Sequence, residues 1–347
     1  MNAAPVRFAI VGSGSIATQH VHAIALVPGA QLAAVWGRDP VRTRDFAGTH
    51  GAEAVTDLAA LARRDDIHAA TIATPSGAHA EAALPFLRAG KAVLCEKPLE
   101  VTLQKIDHLL EVAATHGAPL AAILQLRLGA AAQAMKAAVD QGRFGRITLC
   151  SAYIKWWREQ SYYDSLAWRG TRLLDGGGAL MNQGVHVVDL LQWLVGMPAE
   201  ISAFSACLAH ERIEVEDTLV ASLRWPGGAL GVIEATTACR PGYPMRIELA
   251  GDRGSAVLED DRIVSWSFQD SLPGDDAIRA DAGGKIAGGS SDPRAIGVEG
   301  HRLFVEDLVG ALREGRTPRI PGAEARNAVQ IILAAYESAA TGQSVRI

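Results

Sequence analysis

The sequence predicts an α/β protein in which an N-terminal doubly wound parallel sheet is followed by an α+β domain built on a large, mostly antiparallel sheet. Three observations carry that reading. Over roughly the first 120 residues, short apolar runs alternate with helical periods and no hairpin signal intervenes, as in a parallel sheet covered on both faces. From Glu200 onward strand-like runs follow one another across turns such as Pro226-Gly227-Gly228 and Asp252-Arg253-Gly254, as in an antiparallel sheet. The 347 residues, 49% hydrophobic and 20% charged, suit two domains with a core each. They are expected at 1–125 and 126–347, the C-terminal helix packing back at the junction.

The opening stretch organises the rest. Val6–Val11 is a short apolar run ending in Gly12-Ser13-Gly14-Ser15-Ile16-Ala17, and an apolar-periodic segment follows to Val27, giving strand, tight turn and helix. Gly12 makes the turn, Gly14 admits a pyrophosphate close to the backbone, and the small Ala17 lets helix pack on strand. The amides at Ser15 and Ile16 then open a helix whose positive dipole end favours phosphate. This is a dinucleotide-binding opening.

Gln31–Trp36 is the second strand and Pro40–Gly48 the helix after it. The turn between them, Gly37-Arg38-Asp39, falls where such a unit reads the adenosine ribose. An NAD site wants a carboxylate at the strand end; here Gly37 and Arg38 leave room and positive charge for a 2′-phosphate. The expected cofactor is therefore NAD(P)(H) with a slight lean to NADP, Asp39 remaining an alternative ribose ligand.

A helical stretch at Thr56–Arg63 leads to a strand, His68–Ala73, that ends at Thr74-Pro75-Ser76. Ala78–Ala89 is a helix stopped by Gly90. Ala92–Cys95 is a strand running into Glu96-Lys97-Pro98, Thr102–Thr115 a helix, and Pro119–Leu124 a strand followed by Gln125. Ligands of open parallel sheets bind at the carboxyl ends of the strands. Gly12, Gly14, Ser15, Ile16, Gly37, Arg38, Thr74, Pro75, Glu96, Lys97 and Gln125 are accordingly the candidate cofactor-binding residues.

Beyond Gln125, Leu128–Val139 reads as a helix, Arg146–Trp157 as a long strand, and Ala179–Val195 as one apolar helix after the Asp175-Gly176-Gly177-Gly178 turn. Strands are expected at Glu200–Ala209, Asp217–Trp225, Ala229–Ala238, Met245–Ala250, Ser255–Leu258 and Ile263–Trp266. Asp270–Gly297, rich in Gly, Ser, Asp and Pro, is a surface loop or a lid. Helices Gly300–Glu314 and Ala323–Ala340 close the chain.

Two places can carry chemistry. Lys97, at a strand end between a carboxylate and a proline, puts an ammonium where it can bond a substrate hydroxyl and stabilise alkoxide charge, though a surface Glu-Lys pair fits the spacing as well. Asn182, His186 and Asp189 are spaced i, i+4 and i+7, on one face of the expected helix. Oxidation of a hydroxyl sends hydride one way and the proton another, and a histidine takes a proton near neutral pH. A satisfied core histidine is the competing reading of His186.

With GSGSIA at Gly12–Ala17, the run TPSGAHAEAALPFLRAGKAVLCEKPL at Thr74–Leu99 and GGGALMNQGVHVVDLLQWL at Gly176–Leu194, in this order and spacing, the chain resembles the Gfo/Idh/MocA family of NAD(P)-dependent sugar and polyol dehydrogenases. The resemblance spans essentially the whole chain. It implies that Lys97 and His186 are the catalytic pair, that Pro98 follows a cis bond, and that the substrate is a sugar, cyclitol or nucleotide-sugar. Many members carry an aspartate where this chain has Asn182, which can orient His186 but cannot accept a proton. Trp168-Arg169-Gly170-Thr171 also resembles members acting on sugars and nucleotide-sugars, though a structural Trp/Arg packing role fits that run as well; Asn182, Asp189, Arg169 and Trp168 are the expected substrate-binding residues. Alternatives on the same fold are a redox-assisted glycosidase that retains NAD and a non-catalytic NAD(P)-binding sensor.

The formal net charge of -5, without a Lys/Arg run, argues against nucleic acid and membrane partners. The four cysteines have no C-x-x-C pair and are expected to be buried free thiols. His20 and His22 lie two apart, on different helix faces, and His79 is expected to pack or cap; no metal is expected. With no signal peptide or apolar span recognisable, the expected location is cytoplasmic. An open sheet face implies a homodimer or homotetramer.

Overall fold

The computed structural model describes residues 4–281 and 297–347. The first elements are β1 (Val6–Val11), α1 (Ser15–Leu26), β2 (Ala30–Trp36), α2 (Pro40–Thr49), β3 (Glu53–Val55), α3 (Leu58–Ala62), β4 (Ala69–Ile72), α4 (His79–Arg88), β5 (Ala92–Cys95), α5 (Leu103–Thr115) and β6 (Leu120–Ala122). Their six strands form one sheet in the order β3-β2-β1-β4-β5-β6, every pair parallel. β4, β5 and β6 are buried throughout, so their sequences are continuous apolar runs rather than alternating ones.

The register levels the carboxyl ends. Trp36 pairs with Val11, Val11 with Ile72, Ile72 with Cys95, and Cys95 with Ala122. Gly37, Gly12, Ala73-Thr74 and Glu96-Lys97 therefore leave the sheet along one edge. Strand order reverses between β1 and β4, the switch point at which such sheets bind ligands.

The chain continues with α6 (Ala130–Asp140), β7 (Ile147–Lys155), α7 (Gln160–Asp164), α8 (Val185–Val195), β8 (Glu200–Ala206), β9 (Thr218–Arg224), β10 (Leu230–Thr236), β11 (Arg246–Gly251), β12 (Gly254–Glu259), β13 (Arg262–Phe268), α9 (Asp275–Ala280), α10 (Val298–Glu314), α11 (Gly322–Thr341) and β14 (Val345–Arg346). Eight strands form a mixed sheet, β13-β12-β11-β7-β10-β9-β8-β14. β7 lies between two meanders, β8-β9-β10 and β11-β12-β13; its pairing with β10 is parallel and the other pairs are antiparallel, the mostly antiparallel sheet expected. Ile201, Ala203, Leu219, Ala221, Ile233 and Ala235 are buried on one face of this sheet; on the other, Leu149, Phe204, Val220 and Leu230 are exposed.

The chain divides into two compact units, Met1–Ile123 with Val298–Arg326, and Leu124–Gly297 with Asn327–Ile347. The expected domain assignment is corrected at the C-terminus. α10 belongs with the first unit because its buried face, including Phe304, Val305 and Leu308, packs along α1.

Several short elements lay below the sequence signal, among them β3, α7 and β14. In the segment expected to be a loop or lid, α9 forms because Asp275 takes a bidentate pair from Arg143 at 2.8 Å; residues 282–296 of that segment lie outside the described residues. The single helix expected over Ala179–Val195 is broken: Ala179–Gln183 is a π-helical turn, Gly184 intervenes, and α8 starts at Val185. Cys207, expected buried, is exposed just past the end of β8, and the four cysteines are free. Among the described residues no helix is long and apolar enough to cross a membrane.

Asp189, in the middle of α8, is buried and accepts two bonds from Arg127, Nε and Nη2 each at 2.7 Å. Arg127 lies in the 3-10 turn Gln125–Leu128, so the pair fixes α8 to the turn that opens the second unit. Removing one member of a buried pair strands the other charge. Asp189→Ala should lower the unfolding free energy by about 3–5 kcal/mol in denaturant titration, and Arg127→Met/Asp189→Leu should recover most of it.

Candidate active site

In the first unit the phosphate turn needs two glycines for opposite reasons. Gly12 has φ +123°, and a Cβ there would sit 2.5 Å from the Ala73 carbonyl oxygen, so both conformation and crowding exclude a side chain. Gly14 has an ordinary φ of -85°, yet nothing lies within 4 Å of its Cβ position. It is the N-cap of α1, and no side chain caps the helix. The first-turn amides of Ser15 and Ile16 thus face open space at the positive end of a helix dipole, while Ala17 is fully buried against the sheet. That is the donor set and clearance a pyrophosphate needs, and it fits a dinucleotide.

Gly37 abuts the same turn: a Cβ there would collide with Thr43 Oγ1 and lie 3.2 Å from Ser13 Oγ. Asp39 is occupied as the N-cap of α2, accepting from the amides of Val41 and Arg42 at 2.9 and 3.1 Å, so the alternative of Asp39 as ribose ligand loses its free carboxylate. Arg38 is exposed. Arg42, which the sequence reading missed, donates from Nε to the Ser13 carbonyl at 3.1 Å and brings a second guanidinium to this turn. Its place in the first turn of the helix after the second strand was the available signal.

At the next strand ends, Thr74-Pro75 and Glu96-Lys97-Pro98 are tied together by His79. Its Nδ1 lies 2.8 Å from the Pro98 carbonyl and its Nε2 3.0 Å from the Thr74 carbonyl. Burial pushes the imidazole pKa down, against the pull of those carbonyls and of Glu100. His79 is thus a brace between two loops of the site edge, more than a packing residue. The Lys97–Pro98 peptide is cis, as the family resemblance implied, and Lys97 is half-buried.

The second unit carries the other candidates. Asp175 accepts from the Gly170 amide at 2.8 Å and from Asn182 Nδ2; Asn182 Oδ1 accepts from Gln183 Nε2 at 2.6 Å. Gln183 Nε2 also donates to the Tyr162 hydroxyl at 2.9 Å, and its Oε1 accepts from the buried Arg158 Nε at 3.0 Å. Arg169 lies over the Tyr162 ring at 4.0 Å and over Trp168 at 5.8 Å. Asn182 and Arg169 are therefore linked through Gln183 and Tyr162, with Trp168 against Arg169; Asp175, Gln183, Tyr162 and Arg158 in this group were not singled out by sequence reasoning. Asp189 is not among them, being held by Arg127. The break in the helix also ends the i, i+4, i+7 argument, since Asn182 and His186 lie on different helical segments.

Glu216 holds the start of the π-helical turn, accepting from the amides of Gly178 and Leu180 at 3.0 and 2.8 Å and from the Tyr336 hydroxyl at 2.9 Å. His186 lies half-buried in the first turn of α8. Gln125 opens the second unit, its Oε1 buried with no hydrogen-bond partner among the described residues.

Residues 6–123 match the oxidoreductase family with an NAD-binding Rossmann fold, GFO/IDH/MocA, and residues 132–257 match the GFO/IDH/MocA C-terminal domain. Inositol 2-dehydrogenase of Rhizobium meliloti (strain 1021) is 29% identical over 264 residues, 75% of this chain and 77% of its own. Trans-1,2-dihydrobenzene-1,2-diol dehydrogenase of Oryctolagus cuniculus is 32% identical, covering 72% of this chain and 74% of its own. The crystal structure of the WlbA dehydrogenase from Bordetella pertussis, in complex with NADH and UDP-GlcNAcA, is 33% identical with a TM-score of 0.88 over 99% of each chain.

The open space at Gly14 gives a test that spares the fold. Gly14→Val has room and an allowed backbone, so the melting temperature should stay within a degree or two, whereas its branches enter the phosphate space. NADH and NADPH affinities, read by fluorescence titration, should each fall about tenfold or more, about 1.4 kcal/mol.

Proposed function

The chain belongs to the GFO/IDH/MocA oxidoreductase family, and on that premise we propose that it oxidises a ring hydroxyl of an anionic nucleotide-sugar, with Lys97 and His186 as its catalytic residues. It is an NAD(P)-dependent dehydrogenase acting on CH–OH groups of a sugar, cyclitol or nucleotide-sugar. The reading of the residues is carried by the Glu96-Lys97-Pro98 turn, which leaves the sheet on the same edge as the phosphate turn.

Lys97 bonds the reacting oxygen and stabilises its developing negative charge. His186 takes the hydroxyl proton as the C–H electron pair departs and the carbon becomes a carbonyl. The nicotinamide, when bound, supplies the hydride acceptor. Asn182 and Arg169, fixed through Gln183 and Tyr162, bond substrate hydroxyls and anionic groups. Support for the substrate class comes from the whole-length similarity to WlbA, whose complex contains UDP-GlcNAcA, and from two arginines, Arg158 and Arg169, gathered around Tyr162. Support for NADP over NAD comes from the Arg38-Arg42 pair beside Gly37 and from Asp39 being spent as a cap.

In titrations with both cofactors, NADPH should bind more tightly than NADH; the reverse order would return the site to NAD. With the tighter cofactor in its oxidised form, UDP-GlcNAcA should raise nicotinamide absorbance where myo-inositol does not. His186→Asn should slow that turnover about 10²- to 10⁴-fold while leaving cofactor affinity intact. Turnover with myo-inositol alone would move the substrate to cyclitols.

The exposed sheet face supports a homo-oligomer. Leu149 is paired with Leu230 and Phe204 with Val220, and Phe204 is 82% exposed, an apolar patch that a second copy of the chain would cover. Sedimentation velocity should give a dimer or tetramer that Phe204→Lys/Val220→Lys converts to monomer.

A further inference from the structure

Glu96, His20 and His301 form a buried cluster within the first unit that takes no part in the proposed reaction. Each offers a ligand-type atom within 4.8 Å of the others, and Glu96 and the two rings are 6%, 0% and 2% exposed. His20 Nε2 lies 3.1 Å and His301 Nε2 2.8 Å from the same oxygen, Glu96 Oε1. The other oxygen, Oε2, accepts from the backbone N–H of Lys97 at 3.3 Å. The rings meet edge to face, their centroids 5.0 Å apart.

The proton positions follow from these contacts. One carboxylate oxygen faced by two imidazole nitrogens is satisfied only if both nitrogens donate. Nδ1 of each ring is buried with no hydrogen-bond partner among the described residues. Moving either ring proton to Nδ1 would bury an unpaired N–H and lose a bond to Glu96, so the donors are locked. Burial alone would raise the Glu96 carboxyl, but the bonds from His20 and His301 outweigh it and hold the group well below the usual carboxylate range. The hydrogen bonds thus account for the geometry with three protein groups.

We propose that His20 and His301 are positioning residues for the reaction: through Glu96 they fix the backbone from which Lys97 projects. This rests on the catalytic reading of Lys97. The three partners come from α1, the end of β5 and the first turn of α10, so the Lys97 turn is set only when the returning segment after residue 297 has docked on its own unit. Held this way, Glu96 cannot rotate about its side-chain torsions without abandoning two buried donors, and the Lys97 amide is held by its other oxygen.

The full-length protein tests this in two ways. Acetylation of Lys97 by limiting acetic anhydride, read by peptide mass spectrometry against Lys91 and Lys105, needs no substrate. His301→Leu and Glu96→Gln should change the Lys97 rate several-fold, and His301→Gln, which restores an N–H donor, should bring it back towards wild type. An unchanged rate in well-folded His301→Leu overturns the proposal, as does a stoichiometric metal in the purified protein that chelation removes with the same change in labelling. In turnover of UDP-GlcNAcA, His301→Leu should lower kcat about 10- to 100-fold with KM and cofactor affinity little changed. If the cluster acts through Lys97, His301→Leu should add little to the loss already caused by Lys97→Met. A further loss of equal size in the double variant overturns the positioning role. Full activity in Lys97→Met instead overturns the catalytic reading, leaving the labelling result to decide the clamp by itself.

Discussion

The close approach of Gly12 to the Ala73 carbonyl is the constraint on which the first unit's site depends. Two parallel neighbours, β1 and β4, end level because Val11 is paired with Ile72, and the chain leaving β1 must pass directly over the chain leaving β4. Only a residue without Cβ and with a left-handed φ can make that crossing. Once made, it aims the next residues into the space at the switch point, so α1 begins with its amides outward. Gly37 repeats the requirement in weaker form, its missing side chain replaced by the Thr43 hydroxyl.

The second unit is held by polar groups rather than by close backbone approach. Between Gly170 and α8 several amides find no backbone acceptor in regular structure. Buried side chains accept from them instead: Glu216 takes the amides of Gly178 and Leu180, and Asp175 takes that of Gly170. Burial pushes the Glu216 carboxyl pKa up even with these donors in place. Asp217 does the same work for the turn after β8, accepting from the amides of Leu208, Ala209 and His210, and its carboxyl is pulled below the usual range despite burial. An unmade hydrogen bond in such places costs more than a made one contributes. These acids are therefore as structural as the apolar residues around them.

What was legible in the sequence was local. The strand Ala92–Cys95 was placed to the residue because a strand buried on both faces is a short apolar run bounded by turn residues. The Gly12 turn was readable because its first glycine is demanded by neighbouring backbone and its second leaves the helix start open. What was not legible depends on partners far away in the chain. The seating of the turn at Gly178–Leu180 depends on Glu216, and the surroundings of His301 on a glutamate 205 residues earlier. The apolar stripe of α10 announces a buried face but not which unit buries it. Asp189 was read as a ligand because its spacing from His186 is helical, yet spacing says nothing of Arg127, which lies 62 residues upstream and takes both oxygens.

The asparagine at position 182 has a physical reason once Asp175 is considered. Its amide nitrogen donates to the Asp175 carboxylate and its amide oxygen accepts from Gln183, so one neutral side chain supplies both a donor and an acceptor at adjacent sites. An aspartate there would set two carboxylates within hydrogen-bonding distance in a buried setting, where both cannot ionise and one must keep its proton. The carboxylate of this cluster is supplied by residue 175, and Asn182 lies between it and Gln183. An amide in that position orients its neighbours but cannot itself accept a proton.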